Sequence, residues 1–214
     1  MKKKSLVLVL ILLLSCFVCL AEDVVSPGKD FYYLDDAEVL SEALKGEIFY
    51  SNQLLFESCG AQIVVVTIPS TGGRDIEDYC IELFNKWGIG DSRKNNGFLL
   101  LLAIQDDNYY ACPGTGLKEE MATAEIQDML YSCLEPDFAV GGYEAGVKKF
   151  YETAFLRIAH IYNSDVSSLA YAVAVCYKRM HLSQISQAYV AQVNICLASR
   201  MQEGFQIIRL VIKS

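Results

Sequence analysis

Apolar residues at Ile76, Tyr79, Cys80, Leu83, Phe84 and Trp87 recur at three- and four-residue spacing, which is one stripe along a helix. Asp75, just ahead of the stripe, predicts an N-cap, because a short carboxylate accepts from first-turn amides that have no partner inside the helix. Gly88 and Gly90 predict its end, where glycine takes a left-handed conformation at least cost. The polar stretch 91–96 then reads as a loop, and Asn95-Asn96-Gly97 carries turn chemistry. Phe98 to Ile104 runs apolar without alternation, as a strand covered on both faces does.

The same reading extends along the chain. A helix is predicted from Ser41 to about Phe56, approached through Asp35-Asp36, with Leu44, Ile48, Leu54 and Leu55 as core candidates. Ile63 to Ile68 is a β-branched run and predicts a central strand. Pro69 to Gly73 reads as a loop, and 105–108 as a turn into a paired strand, Tyr109 to Cys112. Leu117 to about Cys133 and Gly142 to about Ile161 predict two further helices. The second of these carries Val147, Phe150, Tyr151, Ala154, Phe155 and Ile158 on one face. Helices alternating with strands, and one hairpin, predict an α/β fold: a three-layer α/β/α sandwich around a small mixed sheet.

The flanks change the picture. Lysines at 2, 3 and 4, an apolar run from Leu6 to Leu14, and Cys19-Leu20-Ala21 before Glu22 make residues 1–21 a signal peptide. Their apolar length, at the lower edge of a membrane span, leaves an N-terminal anchor as the alternative. Residues 22–33, with Pro27-Gly28, read as a short mobile lead, 34–162 as the domain, and 163–214 as a tail. In the tail, 168–177 is apolar for about half the length a bilayer core requires, and Lys178-Arg179 follows it. That segment reads either as a degenerate membrane segment or as a packed helix. The chain is therefore expected to be exported, extracytoplasmic and membrane-associated, with a membrane or membrane-protein partner.

Removing residues 1–21, which hold three lysines and no acid, takes the formal net charge from −8 to −11. An acidic domain without a basic patch argues against nucleic acid as a partner. It is compatible with divalent cations, although a solvated acidic surface is the commoner reason for such a charge. Of the eight cysteines, Cys16 and Cys19 lie in the leader, Cys59, Cys80, Cys112 and Cys133 in the domain, and Cys176 and Cys196 in the tail. No pair outside the leader has CxxC spacing, so zinc-ribbon and thioredoxin-like chemistry is not indicated, and disulfide pairing is left open.

Loop oxygens are the main candidate chemistry. Asp35 and Asp36 precede the first helix, Asn96 precedes the Phe98 strand, and Asp106 and Asp107 stand in the hairpin turn. Hard cations such as calcium take six to eight oxygen ligands from adaptable loops, so these five are candidate metal ligands. The plainer alternatives are that Asp36 caps a helix and Asn96 serves its turn. Gly114 and Gly116, with Lys118, precede a helix and form a candidate anion site through backbone N–H groups; a tight turn is the commoner role of such a pair. The two histidines, His160 and His181, lie beyond these motifs and offer no base for a catalytic dyad.

Five strings in order resemble the TPM domain family, which includes bacterial membrane proteins and a thylakoid protein of photosystem repair. They are Leu34-Asp35-Asp36-Ala37-Glu38-Val39-Leu40-Ser41; Gly60 to Thr67; Asp75-Ile76-Glu77 with Lys86-Trp87-Gly88-Ile89-Gly90 and Asn96-Gly97-Phe98-Leu99-Leu100-Leu101; Gly114-Thr115-Gly116-Leu117; and Pro136-Asp137-Phe138 with Gly142 to Gly146. Together they span roughly residues 33–160. The resemblance implies the same layered fold, calcium binding in some members, and an acid-phosphatase activity in one branch. By position it implies Asp36 and Asn96 as ligands. The sequence departs from the family where Lys118 and Thr123 stand in place of a Glu and an Asp, and losing carboxylates weakens a cation site. The function expected is a non-enzymatic binding or accessory module, engaging a divalent cation (calcium) or a protein partner. The alternative is a cation-assisted, acid phosphatase-like hydrolase, which needs at least two carboxylates converging on one ion.

Overall fold

The structure is a computed structural model that describes residues 23–163. Its sheet has four strands in the order β1 (Tyr33–Asp35), β2 (Gln62–Ile68), β3 (Gly97–Ala103) and β4 (Asn108–Pro113). β1 to β3 are parallel, with Asp35 beside Thr67 and Gln62 beside Gly97. β4 returns antiparallel, closing a hairpin with Leu99 opposite Cys112. The helices are α1 (Glu42–Cys59), α2 (Ile76–Trp87), the short α3 (Thr115–Lys118), α4 (Thr123–Met129), α5 (Glu135–Phe138) and α6 (Tyr143–Ile161).

Side chains alternate across β2 and β3, and every one of them but Gln62 is buried, so each strand feeds two cores. Ile63, Val65, Phe98, Leu100 and Leu102 face α1, α6 and the segment between β4 and α6. Val64, Val66, Ile68, Leu99, Leu101 and Ala103 face α2. This is the three-layer α/β/α sandwich expected. β1→β2 and β2→β3 step the same way across the sheet, yet α1 and α2 lie on opposite faces. The two crossovers therefore have opposite hands, and one of them is the rare left-handed kind.

Local chemistry sets the element ends. Asp75 accepts from the Glu77 and Asp78 amides and starts α2, and Gly88 at φ 63° ends it. Ser41 caps α1 by accepting from the Leu44 amide. Inside the first core, Asn52 locks three elements together. Its Oδ1 accepts from the Ile63 amide at 2.7 Å, and its Nδ2 donates to the Ile48 carbonyl and the Tyr151 hydroxyl, both at 2.9 Å. A buried amide satisfied on both ends ties α1, β2 and α6 into one register.

Three expectations change. The helix predicted from Leu117 to Cys133 is broken: α3 ends at Lys118, buried Met121 turns into the core, and α4 runs into a π-helical turn over Leu130–Leu134. That turn stands directly before Pro136, which lacks an amide for the helical ladder and clashes with the preceding turn. The lead is packed on α2 at its start: Val24 is buried, and the Trp87 indole donates to the Val25 carbonyl at 2.9 Å. β1 is a strand that no periodicity announced, since three residues at an edge carry too little alternation to read. Among the described residues no helix is long and apolar enough to cross a membrane. The leader and nearly all of the tail, including 168–177, lie outside the described residues.

Candidate functional site

The candidate residues divide between the two ends of the sheet. Asp35 ends β1, and Asp106 and Asp107 follow β3, so these and Asp36 lie at the carboxyl ends of the parallel strands. In open α/β sheets this is where ligands gather. Asn96, Gly114, Gly116 and Lys118 lie at the opposite end, beside the start of β3 and the end of β4. Seven residues of β3 separate the two groups, about 20 Å at strand rise. The five oxygen donors therefore do not form one site.

At the carboxyl end, Asp35 is committed to the fold. Its carboxylate accepts from the Val39 and Leu40 amides at 3.0 and 3.1 Å and from the Thr67 hydroxyl at 2.6 Å. The Lys45 ammonium pairs with it at 2.9 Å. Burial raises its pKa, but the hydrogen bonds from Thr67, Lys45 and the two amides outweigh burial and hold the carboxyl below its ordinary value. Asp106 reaches across to the loop after β2, accepting from Ser70 Oγ and the Thr71 amide, each at 2.7 Å. The Ser70 bond is the main reason its pKa is lowered. Asp36 and Asp107 are exposed; Asp36 uses its backbone amide on the Thr67 carbonyl, and Asp107 takes a left-handed φ of 50° at the turn. Lys45, Thr67, Ser70 and Thr71 organise this edge, and of these only Thr67 lies in a motif.

The other end is built differently. Asn96 is fully buried; its Oδ1 accepts from the Asp91 amide at 3.1 Å, and its Nδ2 donates to the Cys59 carbonyl at 3.2 Å. Lys94 Nζ donates to the same carbonyl at 2.6 Å, placing a cation on the last turn of α1. Tyr162, just past α6, lies under the Lys94 ammonium, 5.8 Å from its ring centre. Gly114 and Gly116 are packing residues: a Cβ on either would overlap the backbone carbonyl of Asn95 or Lys94. Their amides donate inward, Gly114 to Gly97 at 2.8 Å and Gly116 to Asn95 at 3.0 Å. The Lys118 amide bonds the Gly114 carbonyl, and its side chain is exposed.

The fit to a calcium ion is correspondingly partial. Asn96 is at the wrong end, and Asp35 has its oxygens filled with a lysine ammonium beside it. Asp36, Asp106 and Asp107 share an edge, but calcium takes six to eight oxygens. Among the described residues no three His, Cys, Asp or Glu side chains are grouped to hold a metal ion.

Comparison with known proteins adds the family. The solution NMR structure of the N-terminal domain of a P. gingivalis protein superposes with a TM-score of 0.57 at 24% identity, covering 62% of this chain and 84% of that one. The NMR structure of the BA42 protein from the psychrophilic bacterium Bizionia argentinensis gives 0.48 at 18%, over 57% of this chain and 83% of that one. The N-terminal domain of a Corynebacterium glutamicum protein gives 0.45 at 16%, over 66% and 88%. At these identities the first likeness shows the fold alone. No functionally curated protein matches the sequence. The model of the TPM domain matches residues 33–155, more than half of the chain, and the chain belongs to the TPM domain family.

Proposed function

We propose that this protein is an exported, membrane-associated binding module that does no chemistry of its own, and that the carboxyl end of its sheet is the working surface. The observation that carries this is the placement of the domain's two ends. Asp23 pairs with Lys86 in the last turn of α2, and the Tyr162 ring lies under the Lys94 ammonium. Residues 23 and 163, where the described residues begin and end, thus both lie toward the Asn96 end. A domain tethered beyond either of them holds Asp36 and Asp107 away from its tether, open to a cation or a protein partner. A hydrolase would need carboxylates free to converge on an ion, and Asp35 is held by Lys45 and three hydrogen-bond donors.

The calcium part of this reading narrows to Asp36, Asp106 and Asp107, with water completing the shell. Such a site belongs in the millimolar range of extracellular modules. With a Kd of ~1 mM, 10 mM calcium stabilises the fold by about 1.4 kcal/mol, a rise of ~3 °C in the melting midpoint for a domain of this size. A melt in EDTA and then in calcium measures it. A rise that Asp36→Ala abolishes supports the cation site. No rise at 10 mM retires it and leaves a protein partner at this edge, and phosphomonoester hydrolysis that depends on added metal and on Asp36 would overturn the non-enzymatic reading.

A further inference from the structure

A cleft opens at the carboxyl end of the sheet, between the loop from β1 to α1 and the start of α6. It offers about 640 Å³, with Val39 on one side and Gly142, Tyr143, Glu144, Ala145 and Lys148 on the other. Both lips are fixed by the backbone. On the first, Asp35 accepts from the Val39 and Leu40 amides, and Glu38 holds a left-handed φ of 54°, a strained conformation for a residue with a side chain. On the second, the Val140 and Gly142 amides donate to the Asp137 carbonyl, and the Tyr143 ring packs edge-on against buried Phe138 at 5.2 Å. Ser41 joins the lips by donating to Glu144. Val140, 81% exposed, stands at the rim beside Gly141. One exposed apolar side chain is ordinary on a protein surface, but this one is carried on a hydrogen-bonded turn next to an apolar lining.

Charge selects the occupant. The lysines around the cleft are each matched: Lys45 with Asp35 and Glu42, Lys148 with Glu47 and Glu152, and Lys149 with Asp137. Asp36 and Glu38, both exposed, pair with no cation among the described residues, and Glu144 bonds the Ser41 hydroxyl. The charge left over is therefore acidic, beside apolar surface from Val39, Tyr143 and Ala145. We infer that this cleft seats a segment of a partner protein in which an aliphatic side chain stands next to a lysine or arginine. The aliphatic group fills the space between Val39 and Tyr143 and covers Val140, and the cation meets Asp36, Glu38 and Glu144 at the lips. Lips that are already fixed leave little ordering to be done on binding. The acidic surplus speeds encounter with a cationic segment, most at low salt. The inference rests on the carboxyl end being the working surface, and it names the partner chemistry of that end.

The test is selection of a phage-displayed library of random dodecapeptides on the full chain, with the enriched peptides then synthesised and titrated by fluorescence anisotropy. The expected result is a consensus with Leu, Ile or Val next to Lys or Arg, bound more weakly as salt rises. Val140→Ser weakens these peptides by about 10-fold, as loss of an apolar anchor does. Glu38→Lys weakens them by a similar factor and removes most of the salt dependence. Both side chains are exposed, so both variants keep the fold, which matching melts verify. Enriched peptides that lack a cation, or that bind both variants as tightly as the wild type, overturn the inference and leave the carboxyl end to a partner of other chemistry. Peptides that bind both variants but are lost in Lys118→Glu sit at the Asn96 end and overturn the working surface as well. No enrichment overturns the partner chemistry and leaves a cation at this edge. Sedimentation showing a dimer that Val140→Ser dissociates makes a second copy the occupant and overturns the inference too.

Discussion

The two ends of the sheet carry motifs of similar prominence in the sequence but do different physical work. At the Asn96 end, a buried amide, a lysine and two glycines that approach backbone carbonyls are all committed to one another and to the end of α1. At the carboxyl end, Asp35 and Asp106 are committed to their neighbours, while Asp36 and Asp107 face water. A recognisable motif therefore marks architecture at one end and leaves exposed carboxylates at the other. Substitutions that separate structural from solvent-facing groups can break this comparison or sharpen it.

The largest effect is expected within the carboxyl end itself. Asp35→Asn replaces an acceptor with a group that presents N–H to the donors already there, and leaves the Lys45 ammonium with the exposed Glu42 carboxylate as its one remaining ion-pair partner among the described residues. Breaking a pair of this kind costs about 3 kcal/mol, measured as a loss of stability in urea. The pH dependence has a definite sign. The Asp35 carboxyl has a folded pKa below its ordinary value, so its contribution is fully present above the unfolded pKa, about 3.9. It is lost as pH falls through the depressed folded value. Acid titration of stability below about pH 4 should be shallower in Asp35→Asn than in the wild type. Equal slopes would make Asp35 a bystander.

Next come two changes at the other end. Gly116→Ala drives a Cβ into the Lys94 carbonyl oxygen and must shift backbone; overpacking of this sort costs about 2–3 kcal/mol. Asn96→Ala removes the acceptor for the Asp91 amide and a donor to Cys59, a loss of about 2 kcal/mol. A stable Asn96→Ala protein that lost partner or cation binding would reverse the assignment of the two ends.

The sequence made the layers legible because β2 and β3 are apolar on both faces and α2 carries a clean stripe, so period and burial coincide. The end points of α2 and α6 also fell where Asp75, Gly88 and Gly142 place them. β1 was not legible, since its pairing with β2 rests on three residues, and the break before Pro136 was overridden by an otherwise helical pattern. Site residues were legible by type but not by place. Asp36 and Asn96 both read as loop oxygens, and only the strand directions put them at opposite ends of β3. The partners that hold Asp35 and Asp106 include an ordinary helix lysine, which pairs with Asp35, and loop hydroxyls, which donate to Asp106, and their role is set by tertiary contact alone.

The smallest expected effect on stability is the most informative about function. Asp36 and Asp107 are exposed carboxylates, and surface substitutions away from caps and networks usually change stability by less than about 0.5 kcal/mol. Asp36→Ala and Asp107→Asn, the latter keeping a residue that tolerates the left-handed φ at 107, should therefore melt within about a degree of the wild type in EDTA, while losing most of any rise that calcium produces. Asp106→Ala is the control between them, because it gives up bonds to Ser70 and Thr71 and loses stability with or without calcium. If all three variants melt alike in both conditions, the outer carboxylates take no part in cation binding. The comparison then sharpens to a structural end and a solvated end, whose partner must be recognised through the shape of the loops after β1, β2 and β3.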